Sequence, residues 1–170
     1  MTSTETSPQQ QTQQAIQPHL STIHSAVRKK ITDANGNTTH ITYNGKGERI
    51  LTTEDLRDED ANITDKVETS FTYNLNGNLT SITDDNGNTT LYEYDALGRR
   101  THTEYADGGT IEVTYNKNSQ VKTTTDQNGT VVENTYDVLG RLTDRDITPA
   151  TGVLGTTYES FEYDERNRLT

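Results

Sequence analysis

From Ile31 onward the hydrophobic positions lie two apart. Ile41 and Tyr43, Phe71 and Tyr73, Tyr92 and Tyr94, Val113 and Tyr115, and Phe161 and Tyr163 form such pairs, with Thr or Glu between them. A period of two predicts strands with one apolar, aromatic face and one wet face. The tyrosine closing each pair recurs at 43, 73, 94, 115, 136 and 163. The three central steps are 21 residues each and the outer two are 30 and 27. Self-similarity at a fixed period is the mark of a repeat architecture, in which no unit can bury its own face. The nine and six extra residues in the outer steps are read as loop insertions near 51–66 and 147–157, around "TEDLRDEDANITDK" and "TPATGVLGTT".

Two turn signals punctuate each unit. Four residues after the tyrosine stand Gly47, Gly77, Gly98 and Gly140, with Ser119 and Asn167 in the remaining copies. A slot that takes Gly or Asn so often calls for φ > 0, so Ser119 is expected in a strained or rearranged turn. The second signal, seven residues before the tyrosine, ends at Gly36, Gly87, Gly108 and Gly129, in Asn-Gly or Asp-Gly pairs typical of hairpins. The fold predicted is all-β: stacked antiparallel β-hairpin repeats, about six over residues 31–170, forming an open strip. Stacking would bring the tyrosines above one another, ring on ring.

Residues 1–30 differ. They are rich in Gln, Thr and Ser, with Pro8 and Pro18, and are read as a disordered segment. Leu20, Ile23 and Val27 at helical spacing allow a short helix over 19–30.

Composition sharpens this reading. Hydrophobic residues make up 28% of the 170 residues, and Leu, Ile, Val and Phe together number 30. That scarcity, with a net charge of -11, borders on the composition of disordered chains. Nine tyrosines and abundant Thr shift the balance toward an extended, solvent-washed sheet. A pI near 4.7 argues against nucleic acid and anionic membranes as partners. There is no cysteine to form disulfides, and no apolar run suits a secretory signal or membrane insertion.

The segments "YDALGRRT" (94–101), "YDVLGRLT" (136–143) and "YDERNRLT" (163–170), with "NGNTTLYEYDALGRR" (86–100), resemble the Rhs/YD-repeat family. That family includes bacterial Rhs polymorphic toxins, the shell-forming components of insecticidal Tc toxin complexes, and the teneurin ectodomain. The resemblance covers about residues 31–170 and implies hairpin units that coil into a hollow β-shell, which in the bacterial toxins encloses a C-terminal toxin. Its motif residues here are Tyr43, Gly47, Tyr73, Gly77, Tyr94, Asp95, Gly98, Arg99, Tyr115, Tyr136, Asp137, Gly140, Arg141, Tyr163, Asp164 and Arg168. Six units supply a strip of wall. The family's terminal core element and a following toxin domain are absent from the 170 residues, so a fragment or an orphan product is expected. A larger secreted or cell-surface protein is the expected setting.

Chemistry is sparse. "DDNGNTT" superficially suggests a Ca²⁺ loop, but counting from Asp84 the EF-hand Gly and Glu places hold Thr89 and Asp95. The four histidines, His19, His24, His40 and His102, are scattered. No pair of carboxylates is placed as in a glycosidase, and no catalytic, metal or cofactor-binding residue is assigned. Asp and Arg occur together at 95/99, 137/141 and 164/168, while Asn74 and Asn116 accompany Asn78 and Gln120. This co-occurrence predicts turn-bracing ion pairs. The function expected is non-enzymatic: a structural segment contacting further YD repeats or an enclosed toxin, with self-association through open sheet edges. A carbohydrate-binding adhesion module is the alternative.

Overall fold

In the computed structural model, which describes residues 27–58, 60 and 62–170, all regular structure is strand. Twelve antiparallel strands follow one another in a single sheet without a crossover. They are β1 (Val27–Thr32), β2 (Thr38–Tyr43), β3 (Arg49–Arg57), β4 (Ile63–Tyr73), β5 (Leu79–Thr83), β6 (Thr89–Tyr94), β7 (Arg100–Glu104), β8 (Thr110–Tyr115), β9 (Val121–Thr125), β10 (Val131–Tyr136), β11 (Leu142–Thr148) and β12 (Tyr158–Ser160).

The turns form two rows, one at each end of the strands. In the tyrosine-end row the Gly98 N–H donates to Asp95 O (3.0 Å) and the Asp95 N–H to Arg99 O (3.0 Å). This is a three-residue loop, a type I turn closed by a left-handed residue. Gly98 has φ 77°. The same slot holds Ser119 at φ 64° and Asn167 at φ 60°. The Ser119 turn is therefore strained and not rearranged: its two backbone hydrogen bonds, Ser119 N–H to Asn116 O and Asn116 N–H to Gln120 O, are intact. The opposite row repeats this closure from Asp33, Asp84, Tyr105 and Asp126. The Asp or Asn opening a turn also caps it. Asp95 Oδ1 accepts the N–H groups of Leu97 and Arg99, and Asn116 Oδ1 those of Asn118 and Gln120. Such local bonds are why these residues head turns.

Two expectations change. The insertion near 51–66 is not a loop: it lengthens β3 to 9 residues and β4 to 11, leaving only 58–62 between them. Leu51 to Arg57 pair with Ser70 to Ile63. An antiparallel hairpin absorbs extra residues as further rungs; Glu54 and Asp65 stay exposed, and Asp55, with its side chain 16% exposed, meets His40 Nε2 at 3.4 Å. The insertion near 147–157 does leave the sheet, over 149–157. The helix expected over 19–30 falls mostly outside the described residues. Its last four, Val27 to Lys30, are strand, paired with Tyr43 to His40; a ready β2 edge outweighs the weak helical pattern.

The sheet is one layer thick. Phe71 is the one hydrophobic side chain buried among the described residues; Thr38, Thr53 and Thr103 are buried polar ones. Alternation is clear along β6, β8 and β10, where Tyr92, Tyr94, Val113, Tyr115, Val132 and Tyr136 are half-buried while Glu93, Glu112 and Glu133 are exposed. On the wet face threonine hydroxyls join across strands, as Thr83 to Thr89 (2.9 Å) and Thr114 to Thr123 (2.5 Å). Such pairs contribute on the order of 0.2–1 kcal/mol each.

Candidate functional site

The distinctive feature of the chain is the joint between one repeat and the next. Within a tyrosine hairpin the strands pair up to the turn, so that Tyr94 faces Arg100 and Tyr115 faces Val121. Between hairpins, from β3 and β4 onward, the pairing stops three residues short of the tyrosine. β5 and β6 share three residue pairs, as do β7 and β8, β9 and β10, and β11 and β12. The ladder opens toward the tyrosine end and leaves a main-chain carbonyl without a strand partner.

The tyrosine hydroxyl of the following repeat fills that gap every time. Tyr73 Oη donates to Arg49 O (2.9 Å), Tyr94 to Leu79 O (2.8 Å), Tyr115 to Arg100 O (2.8 Å), Tyr136 to Val121 O (2.8 Å) and Tyr163 to Leu142 O (3.0 Å). An unmet carbonyl is costly when shielded from water, which gives tyrosine, and not phenylalanine, its place. Tyr43 heads the row, and its hydroxyl makes no hydrogen bond among the described residues.

A second contact runs through the turns. The residue after each left-handed position reaches the next turn of the row. Arg99 Nη1 donates to Ser119 Oγ (3.2 Å), Gln120 Nε2 to Gly140 O (2.7 Å) and Arg141 Nη1 to Asn167 Oδ1 (2.7 Å). Glu48 and Asn78 lie against Gly77 and Gly98, 3.2 and 3.5 Å from where a Cβ would stand. Lys46 Nζ donates to Leu75 O (3.1 Å). The guanidinium groups also cover rings: Arg99 sits 4.4 Å from the centre of Tyr115, and Arg141 4.7 Å from that of Tyr163. Among the described residues, the contacts found at the motif rings are thus backbone carbonyls and, at Tyr115 and Tyr163, arginine faces, where the sequence predicts a ring-on-ring stack.

The Asp–Arg pairs hold these arginines in position. Arg99 Nε donates to Asp95 Oδ2 (2.7 Å), Arg141 Nε to Asp137 Oδ2 (2.6 Å) and Arg168 Nε to Asp164 Oδ2 (2.7 Å). All three carboxyls sit below their usual pKa. For Asp95 the main cause is the Arg99 side chain. For Asp137 and Asp164 it is the main-chain N–H of Arg141 and Arg168, followed by the guanidinium.

Other clusters are modest. His102 Nδ1 lies 2.6 Å from Glu112 Oε1 and His40 Nε2 3.4 Å from Asp55 Oδ2, on the wet face. No group of three or more metal-ligating side chains converges among the described residues. Among the described residues the hollows found are open ones; one of about 380 Å³ is lined by Leu51, Lys66, Glu68, Ser70 and Thr83 among others.

Comparison with known proteins agrees with the repeat geometry. The RHS Repeat family model matches residues 73–110. No curated protein matches the chain. Among solved structures, TcdB2-TccC3 without its hypervariable C-terminal region is similar at a TM-score of 0.66 and 17% identity, over 78% of this chain. The crystal structure of TcdB2-TccC3-Cdc42 matches at 0.63 and 18%, over 76%. A Tc holotoxin pore of Photorhabdus luminescens matches at 0.64 and 19%, over 75%. The chain spans 6–7% of the length of those proteins.

Proposed function

We propose that the chain, whose residues 73–110 match the RHS Repeat family model, is a non-catalytic strip of wall, whose role is to present a sheet face to another polypeptide. The supporting observation is that the hydroxyl-to-carbonyl joint recurs at every step from Tyr73 to Tyr163. It is kept across the long 43-to-73 and 136-to-163 steps, where everything between has changed. What is held constant is the rigid continuation of a sheet, not the approach of reactive groups. A one-layer sheet with a half-buried aromatic face has contact surface to offer. In the bacterial toxins that the sequence resembles, the contacted polypeptide is an enclosed toxin, and we carry that class of partner to this chain.

The carbohydrate reading has less support. A sugar platform needs an open ring face and a free hydroxyl, whereas Tyr115 and Tyr163 give a hydroxyl to a carbonyl and a ring face to arginine. The test titrates the chain with a reduced, carboxymethylated polypeptide that cannot fold and, in parallel, probes a glycan array. Binding of the unfolded polypeptide, weakened by Tyr92→Ala or Val113→Ala on the aromatic face, is the expected result. Specific glycan binding lost on those substitutions would overturn the assignment.

A further inference from the structure

The two edges of the sheet are unlike, and each holds the half of the repeat joint that the other lacks. At the β1 edge stand Arg28, Lys29, Lys30 and Ile31, all exposed. At the β12 edge stand Glu159, Phe161 and Glu162, followed by the Asp164–Arg168 turn. Each β1 residue has an internal counterpart. Thr32 pairs with Thr38 as Thr83 pairs with Thr89, and Lys30 with His40 as Ser81 with Leu91. Thus β1 is a strand of the β5 kind, and its open side is the side on which β5 carries β4. The β12 edge offers a strand of the β4 kind, since Phe161 and Tyr163 stand as Phe71 and Tyr73 do.

We propose that the 170-residue chain associates head to tail with a second copy of itself, β12 of one copy taking β1 of the next into the same sheet. Internal pairing sets the register. Phe71 faces Ile82, Thr72 faces Ser81 and Ser70 faces Thr83. The same rule places Phe161 opposite Ile31, Glu162 opposite Lys30 and Ser160 opposite Thr32. An aromatic ring meets a β-branched chain and a carboxylate meets an ammonium, both favourable cross-strand pairs. Twelve strands being even in number, strand alternation runs through the seam unbroken.

The rest of the joint follows. Internal junctions stop three residues short of the tyrosine, at Ser70, Leu91, Glu112 and Glu133, whereas β1 and β2 pair up to Tyr43 itself. Release of Val27 to Lys29 from β2 gives the seam the internal pattern and leaves that space to Leu169 and Thr170 of the other copy. The Tyr43 hydroxyl then meets the Leu169 carbonyl, the counterpart of Leu79 O beneath Tyr94. Arg168, whose side chain is 71% exposed, covers Tyr43 as Arg99 covers Tyr115. Glu159 is held by Arg145 of its own copy, so the charge match across the seam rests on Lys30 opposite Glu162, which sets polarity. Such a contact is heterologous and does not close on itself, so it extends into chains of copies. It rests on the repeat geometry alone and stands or falls apart from any enclosed polypeptide.

The chain lacks cysteine, which makes the test clean. Lys46 reaches the tip of the next turn at Leu75 (3.1 Å); the corresponding residues across the seam are Arg166 of one copy and Gly45 of the next. A mixture of the Gly45→Cys and Arg166→Cys variants should yield the mixed disulfide in excess over either homodimer. Sedimentation should show average mass rising with concentration. Tyr43→Phe should weaken association by about fivefold, the worth of one hydrogen bond, while the internal Tyr115→Phe leaves it unchanged. Circular dichroism confirms that each variant keeps its sheet. A monomer at all concentrations, homodimers as abundant as the mixed species, or a Tyr43→Phe variant that associates like the parent would each overturn the proposal.

Discussion

Ser119 is the position where one substitution should improve the strip. Five of the six tyrosine-end turns place Gly or Asn in the left-handed slot, and one places Ser, at φ 64°. A non-glycine L-residue there costs roughly 1–2 kcal/mol, a cost that Asn reduces. Asn is several-fold enriched in this region, worth about 1 kcal/mol. The neighbouring copy supplies the second term. Arg141 reaches Asn167 Oδ1 at 2.7 Å, while Arg99 reaches Ser119 Oγ at 3.2 Å. Ser119→Asn offers Arg99 the same amide acceptor, adding a few tenths of a kcal/mol for an exposed contact. The net gain is about 1 kcal/mol, or a midpoint rise of about 2–4 °C for a chain of this size. Ser119→Ala keeps the strain and loses the hydroxyl, so it should fall below the parent. Urea denaturation followed by circular dichroism gives the order Asn above Ser above Ala. A Ser119→Asn variant at or below the parent would refute the account of both the strain and the turn-to-turn contact.

Tyr94→Phe should cost about 1 kcal/mol by leaving Leu79 O unpaired, read as a lower urea midpoint; Tyr94→Ala with Tyr115→Ala should abolish a single cooperative transition, since neighbouring repeats stabilise one another. Gly98→Ala should cost roughly 1–2 kcal/mol in the same assay, because φ is 77° while the nearest side-chain atom, of Asn78, is 3.5 Å from a Cβ and does not clash. Asp95, Asp137 and Asp164 have lowered pKa values when folded, so the unfolded chain binds more protons in acid and their stabilisation is complete above about pH 3.9. It is lost as pH falls from there through the folded values. Asp137→Asn should therefore flatten the acid limb of the stability profile, measured by denaturation between pH 5 and 2.5, without altering its neutral plateau shape.

Much of this fold was legible because the turn chemistry is local. Gly47, Gly77, Gly98 and Gly140 need only their own backbone to announce a left-handed position, and the Asp–Arg pairs at 95/99, 137/141 and 164/168 close within one turn. The 51–66 segment misled because acidic residues signal a loop only where a strand has two buried faces or a thick core. Here the sheet is one layer thick, so Glu54 stays exposed and Asp55 finds His40 as a partner. The joint between repeats was the least legible part. The tyrosine position was plain, but its acceptor is a main-chain carbonyl, which leaves no trace in side-chain identity. A signal did exist at 48, 78, 99, 120, 141 and 168. Every copy there is polar, long or amide-bearing, and Glu, Asn, Arg and Gln share only the reach to the next turn.

That tolerance explains how the strip keeps its geometry while its sequence drifts. The hydroxyl-to-carbonyl bond fixes the spacing of successive hairpins without reading any side chain of the repeat it touches; Arg49, Leu79, Arg100, Val121 and Leu142 serve equally as acceptors. The turn-to-turn contact reads only a carbonyl or a small polar group. Neither contact depends on the length of chain between two tyrosines, so the nine residues that lengthen β3 and β4 and the six inserted in the segment that leaves the sheet over 149–157 pass without disturbing the row. A wall assembled this way can vary its wet face, its insertions and whatever it contacts. Its cohesion resides in one phenol per repeat.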